Sequence, residues 1–363
     1  LNMSSNMRDS SNSVSLWLFI NAFMVLLMVV IGGLTRLTDS GLSMTDWNFF
    51  SGIIPPTTEN DWILLFNEYK KYPEYKLINF EMNISEFKVI FFWEYLHRIW
   101  GRLIGLTFLI PFIYFALKKM ITKKLFVILC LILSLGCFQG FMGWYMVSSG
   151  LVDKPDVSQY RLASHLGIAF LIYSSLIFLG WNLWAKFNLK FDNRYLKIPM
   201  TGFYFCFILL FITIISGAFV SGTKAGLSYN SFPLMGEELI PGEIFDLSPL
   251  WKNFFENTSL IQLNHRILAT FTCIAILVTS LIYLMRYKDY SITNRILLLG
   301  ISIAIILQYS LGILALINYV PIYLGLIHQL GGLLNLTLIT LIISQNSIKH
   351  EIKSHVLSNF RTH

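Results

Sequence analysis

FFWEYLHRIWGRLIG, residues 91–105, sets four ionisable side chains, Glu94, His97, Arg98 and Arg102, at the head of a run otherwise apolar enough to enter a membrane. Much later in the chain QLNHR, residues 262–266, places the same His-Arg step at the head of another apolar run. Two such heads in one chain make internal repetition the first thing to test, because a missed repeat misassigns the whole fold.

Composition sets the frame for that test. Of 363 residues 55% are hydrophobic and 13% charged, with a mean hydropathy of +0.63, which excludes an ordinary soluble domain. A helix rising ~1.5 Å per residue needs about 20 apolar residues to cross ~30 Å of hydrocarbon. Runs of that kind predict eight helices, near 16–35, 94–117, 124–147, 161–185, 197–221, 262–285, 294–317 and 322–345. The fold class expected is an all-α polytopic membrane protein. The first run is read as a retained helix, since no small-residue cleavage site follows it. Cys130, Cys137, Cys206 and Cys273 all fall inside predicted helices, where a thiol packs as a small apolar group, so no loop disulfide is expected.

Charge orients the spans. Segments on the N-terminal side hold 15 basic and 4 acidic residues, and the opposite segments hold 9 basic and 15 acidic. Both termini are therefore expected inside, and the formal charge of +7 is read as an inside-face property, not as a nucleic-acid footprint.

The repeat is then explicit. The first helix leaves the membrane as IGGLTRLTDSGLS (31–43) and the fifth as ISGAFVSGTKAGLS (215–228). EYLHR (94–98) pairs with QLNHR (262–266), QGFMGWYMVSSG (139–150) with QYSLGILALINY (308–319), and SHLG (164–167) with HQLGG (328–332). Each unit has an even number of helices, so the two run the same way through the membrane. Two tandem, parallel four-helix bundles are expected: 16–185, with a long outside loop at 36–93, and 197–345, joined by the basic segment 186–197.

His350, His355 and His363 sit in the polar tail. The other four, His97, His165, His265 and His328, each fall within about two turns of the outer end of an even-numbered predicted helix. One such histidine is as often a hydrogen-bonded residue between helices as a ligand. Two per repeat, at matched places, point to paired axial ligands for heme iron, His97 with His165 and His265 with His328. A diheme b-type electron-transfer cytochrome is the competing reading, although hemes stacked across a bilayer need ligands near both faces. A transporter is a third, since polar residues in helices mark pathways. Gly101, Gly105, Gly167, Gly331 and Gly332 suit either a porphyrin face or plain helix packing. Arg98 and Arg266 suit either heme propionates or snorkelling to head groups.

The halves differ three residues before the first histidine, where Glu94 in one faces Gln262 in the other. A carboxylate in a span is costly and needs a reason. One reason is a helix-start acid paired with Arg98 or Arg102; the other is proton handling beside a heme, which a glutamine cannot do. On that second reading Glu94→Gln abolishes turnover and Gln262→Glu is tolerated.

EYLHRIWGRLIG, GWYMVSSGLVDKPDVSQYRLASHL, GAFVSGTKAGLSYNSFPLMG, NHRILA and HQLGG resemble the heme A synthase family, in the class without cysteine pairs in its outside loops, from about Gly32 to Asn335. The resemblance implies oxidation of the methyl group at porphyrin carbon 8 of heme O to a formyl group, by two hydroxylations and loss of water. It implies that His97 and His165 flank the substrate heme O, that His265 and His328 ligate a heme b, and that Glu94 is the catalytic acid/base or a transient iron ligand. It further implies heme O synthase as substrate donor, a ferredoxin-type electron donor, cytochrome c oxidase as recipient of heme A and membrane lipid as surroundings, and it leaves a homo-oligomer open; a start without a basic, serine-rich presequence favours a bacterial inner membrane over a mitochondrial one. The stretch 57–90, mixing aromatics with charges, is expected to form amphipathic outer helices over the first pocket.

Overall fold

The structure is a computed structural model that describes residues 2–45, 52–150, 157–188, 200–286 and 292–360, with side chains placed for 7–45, 52–148, 157–188, 200–286 and 292–345. Among the described residues eight helices are long and apolar enough to cross a membrane. They are α1 (Asn2–Leu37), α4 (Ile84–Leu117), α5 (Lys123–Gly150), α6 (Gln159–Asn188), α7 (Thr201–Gly222), α9 (Thr258–Arg286), α10 (Ile292–Ile317) and α11 (Ile322–Phe360), with α2 (Glu59–Tyr69), α3 (Pro73–Leu77) and the short α8 (Asn253–Glu256) in the connections. The chain is thus a multi-pass, all-helical membrane protein, as its composition requires. Most of the join expected at 186–197 lies outside the described residues.

Three helix ends depart from the sequence expectation. α1 begins at Asn2, so the polar N-terminal stretch continues the first span as helix. α11 runs on to Phe360, so the tail bearing His350 and His355 is also helical. α4 starts at Ile84, ten residues before the predicted 94. Its extra turns are kept by Phe87, Ile90, Phe91 and Glu94, whose spacing of three and four places them on one buried face. Asn83 caps that start, its side chain accepting from the Ser85 and Glu86 amides.

Four helices form the centre. α1 packs on α4 and α6, and α7 on α9, while α6 meets both α7 and α11, and α11 also meets α1. Leu18, Phe170, Leu176, Cys206, Leu333, Leu336 and Ile339 are the buried residues shared there. Each set, α1/α4/α5/α6 and α7/α9/α10/α11, also packs within itself, an arrangement consistent with two four-helix units. Lipid tails offer no hydrophobic drive between spans, so close approach and hydrogen bonds hold them. The Ser15 hydroxyl donates to the Gly180 carbonyl at 2.7 Å, and the Tyr173 and Thr337 hydroxyls meet at 2.8 Å between α6 and α11. The cysteines are free, and all four lie in helices.

The long outer connection has its own core. Met44, Phe66, Tyr69, Phe87, Ile90 and Phe91 pack as a cluster apart from the main one. α2 opens with a reciprocal cap between Thr58 and Asp61. The Tyr69 hydroxyl donates to Glu74 Oε2 at 3.0 Å and accepts from Asn79 at 2.7 Å; burial, with the Glu74 charge adding to it, pushes the phenol above its ordinary range.

Candidate active site

His165, His265 and His328 stand about two turns inside α6, α9 and α11. His97 does not: the early start of α4 leaves it more than three turns, and Glu94 before it nearly three turns, from the helix end. Glu94 is therefore not a helix-start acid, and the macrodipole does not account for it.

In the second half the pair is together. The His265 and His328 rings have centroids 6.4 Å apart and planes at 87°. A metal-bound imidazole nitrogen stands about 2 Å from its metal, so two rings facing each other across one iron have centres about 6 Å apart. The donor set and its spacing fit a heme iron held between α9 and α11. Each ring also lies against a glycine of the preceding helix. A Cβ at Gly217 would come within 3.1 Å of His265 Cε1, and one at Gly312 within 2.8 Å of His328 Cε1, so any side chain there displaces the imidazole.

The Nδ1 atoms of this pair are engaged. The Ser216 hydroxyl lies 2.7 Å from His265 Nδ1 and donates its own hydrogen to the Thr213 carbonyl, also at 2.7 Å. With Nδ1–H as the donor, the Ser216 oxygen and the Thr213 carbonyl are both acceptors within reach of it, and the Nε2 lone pair is left for a metal. Gln308 Nε2 donates to the His328 carbonyl at 2.9 Å and lies 3.2 Å from His328 Nδ1.

In the first half His97 and His165 stand within electrostatic range of each other. Their surroundings are looser. A Cβ at Gly32 would be 3.4 Å from His97 Nε2, and one at Gly143 3.8 Å from His165 Cε1, both near ordinary contact. Gln139 donates to the His165 carbonyl at 2.9 Å, as Gln308 does to His328, but the buried His165 Nδ1 has no hydrogen-bond partner.

Glu94 and Gln262 occupy matched places and do matched work with opposite polarity. Glu94, 3% exposed, accepts through Oε2 from the Ser43 hydroxyl and the Met44 amide, each at 2.7 Å, and through Oε1 from Arg98. Arg98 also donates to the Met44 carbonyl at 2.9 Å. Gln262, 2% exposed, donates to the Ala225 and Tyr229 carbonyls at 2.8 and 3.1 Å and accepts from Arg266 at 3.0 Å. Arg266 reaches the Tyr229, Pro233 and Leu234 carbonyls. Both pairs clamp the loop that follows the first helix of their half. The expectation that Gln262→Glu is harmless fails on this geometry, because a carboxylate would face two carbonyl oxygens where an amide donates.

Sequence reasoning missed the supporting residues. The glycines singled out were mostly packing positions, Gly167 against Ile215 and Gly331 against Gln308, with Gly105 facing open space. Those that cradle the histidines, Gly32, Gly143, Gly217 and Gly312, stand inside the very repeat motifs that were aligned, and their recurrence was the available signal.

A family model described as cytochrome oxidase assembly protein matches residues 15–340, nearly the whole helical region and both sets of histidines. The chain belongs to that cytochrome oxidase assembly protein family. Within it, the chain is 44% identical to a heme A synthase of Nitrosospira multiformis, over 89% of this chain and 90% of that one. It is 42% identical to a heme A synthase of a Wolbachia symbiont of Brugia malayi, over 89% and 93%. A heme A synthase of Arabidopsis thaliana is 43% identical over 91% of this chain and 73% of its own. Family members thus occur in bacteria and in a plant.

Proposed function

We propose that the chain is a heme A synthase, an oxidoreductase that converts the C8 methyl group of heme O to a formyl group and so supplies heme A for cytochrome oxidase assembly. The observation carrying this reading is the pair of histidine sites, alike in ligands and unlike in what stands three residues before the first histidine. An electron-transfer cytochrome needs no carboxylate at one site and amide at the other.

In this reading His265 and His328 would hold a resident heme b, which would supply a one-electron couple. His97 on α4 and His165 on α6 would bind the substrate heme O. Glu94 is the proton-handling group, its Oε2 accepting from the Ser43 hydroxyl and the Met44 amide, whereas Gln262 at the matching place carries no titratable proton and donates to backbone carbonyls. Arg98 and Arg266 fix the outer loops and concentrate positive charge where propionates would lie. The aromatic cluster on α2, α3 and the start of α4 closes the outer end of the first unit against water. Heme O, with its long apolar tail, enters from the bilayer, delivered by heme O synthase; a ferredoxin-type protein supplies electrons. The chain lies in a bacterial cell membrane with both termini cytoplasmic, as the basic inner segments favour.

Purification from cells that also make heme O, followed by extraction and identification of the noncovalent hemes by chromatography and mass, tests the reading. Heme A or its alcohol precursor beside heme B is the expected result. Heme B alone would move the chain to the electron carriers.

A further inference from the structure

Within each repeat the residue that precedes the glycine packed on the first ligand histidine is not the same. Gly32 lies against His97 as Gly217 lies against His265, so the residue before it, Ile31, takes the place of Ser216 in the first half. Ser216 is the residue whose hydroxyl oxygen stands to accept the His265 Nδ1–H, with the Thr213 carbonyl beside it. In the first half Ile31 holds that place and offers no hydroxyl; separately, the second histidine there, His165, keeps a buried Nδ1 without a hydrogen bond, where its counterpart His328 has Gln308 Nε2 at 3.2 Å from Nδ1. The second-half rings are also pressed against Gly217 and Gly312 more closely than the first-half rings are against theirs.

We infer that Ser216 is a positioning residue that makes the C-terminal histidine pair a permanent heme site, and that an isoleucine at the matching position 31 leaves the N-terminal pair able to exchange its heme. The inference rests on the ligand assignment above and adds to it a cause for the difference between the halves. A metal-bound histidine whose other nitrogen donates to a fixed acceptor is held in one tautomer and one orientation, and becomes a more basic ligand. A more basic axial ligand stabilises the oxidised iron, so the hydrogen bond both retains the heme and lowers its potential. An enzyme whose substrate is itself a heme needs this contrast: one heme must stay through many turnovers while the other arrives and leaves.

The test uses the full chain with Ser216→Ala, which removes only the hydroxyl, and Ser216→Thr, which keeps one. Heme release to apomyoglobin and the midpoint potential of the resident heme are measured for each. For Ser216→Ala the release rate rises by about 10- to 100-fold, the range typical for loss of an outer partner of a metal ligand, and the potential moves up. Ser216→Thr returns both toward the parent values. A Ser216→Ala protein that keeps its heme with unchanged release and unchanged potential overturns the inference. So does loss of heme that Ser216→Thr fails to rescue. His265→Ala separates the two levels of argument: if it retains the parent heme spectrum, the ligand assignment itself is wrong, whatever Ser216 does.

Discussion

A carboxylate buried in a span invites a catalytic reading, and at Glu94 the structure supplies a second role that must be measured beside the first. Three donors converge on it, from Ser43, Met44 and Arg98. Replacing it by glutamine keeps an acceptor for the loop but turns an N–H toward the Arg98 guanidinium and removes its counter-charge. Breaking a buried ion pair by removing one partner costs about 3 kcal/mol or more. Glu94→Gln is accordingly expected to lose heme A formation and also to lower the unfolding temperature in detergent, with both hemes still detected. An unchanged unfolding temperature would remove the clamp role; full heme A yield would remove the proton role. Gln262→Glu is expected to destabilise by about 1–3 kcal/mol, since two carbonyls lose their donor. A thermal scan of that variant indistinguishable from the parent would contradict the hydrogen bonds drawn to Ala225 and Tyr229. The sequence disclosed the asymmetry at this position but not its polarity, because which backbone atoms approach a side chain depends on how a loop folds back, and no spacing rule reports that.

At the scale of the element, the eight spans were legible because a bilayer demands long apolar helices, and the demand leaves its mark in composition. The start of α4 was not. Its first turns read FKVIFFW after a charged loop, and only the packing of Phe87, Ile90 and Phe91 on Phe66 and Tyr69 explains why helix persists beyond what the membrane requires. The amphipathic outer helices expected at 57–90 are present as α2 and α3. Because their core is separate from the main one, removing them should spare the spans. Deleting residues 57–80 is expected to leave a folded protein that retains the C-terminal heme and fails to retain heme O at the first site. Equal heme O content in deletion and parent, at equal yield, would show that the aromatic cluster has no part in closing the pocket. A smaller change probes the same element: Tyr69→Phe removes one hydrogen bond to Glu74 and one from Asn79, and should raise protease cutting in the outer connection without altering either heme.

On the scale of the whole molecule, repetition was the most informative sequence feature, yet it did not say how the two units meet. The structure joins them through their inner helices, and the contact includes polar groups. Ser344 on α11 donates to the Phe178 carbonyl and to Asn182 on α6, Tyr173 meets Thr337, and Arg36 at the end of α1 donates to the Ser221 carbonyl on α7 at 2.8 Å. Spans that insert independently and then associate through packing and hydrogen bonds need not be covalently joined. Splitting the chain after Asn188 and co-expressing the pieces is therefore expected to give a complex that co-purifies on a tag carried by either piece. The C-terminal piece contains Ser216, His265, Gln308 and His328, the whole of the proposed second heme site. Expressed alone it should still bind heme, but with its α7 and α11 faces uncovered it should release that heme faster than the reassembled pair. Thr337→Val, which removes one hydroxyl from the shared face, should weaken reassembly more than it weakens the uncut chain, where the join keeps the units at high effective concentration. Pieces that never co-purify, or a C-terminal piece as retentive alone as in the pair, would mean that the units work as separate bundles and that their shared core serves only to place two sites side by side.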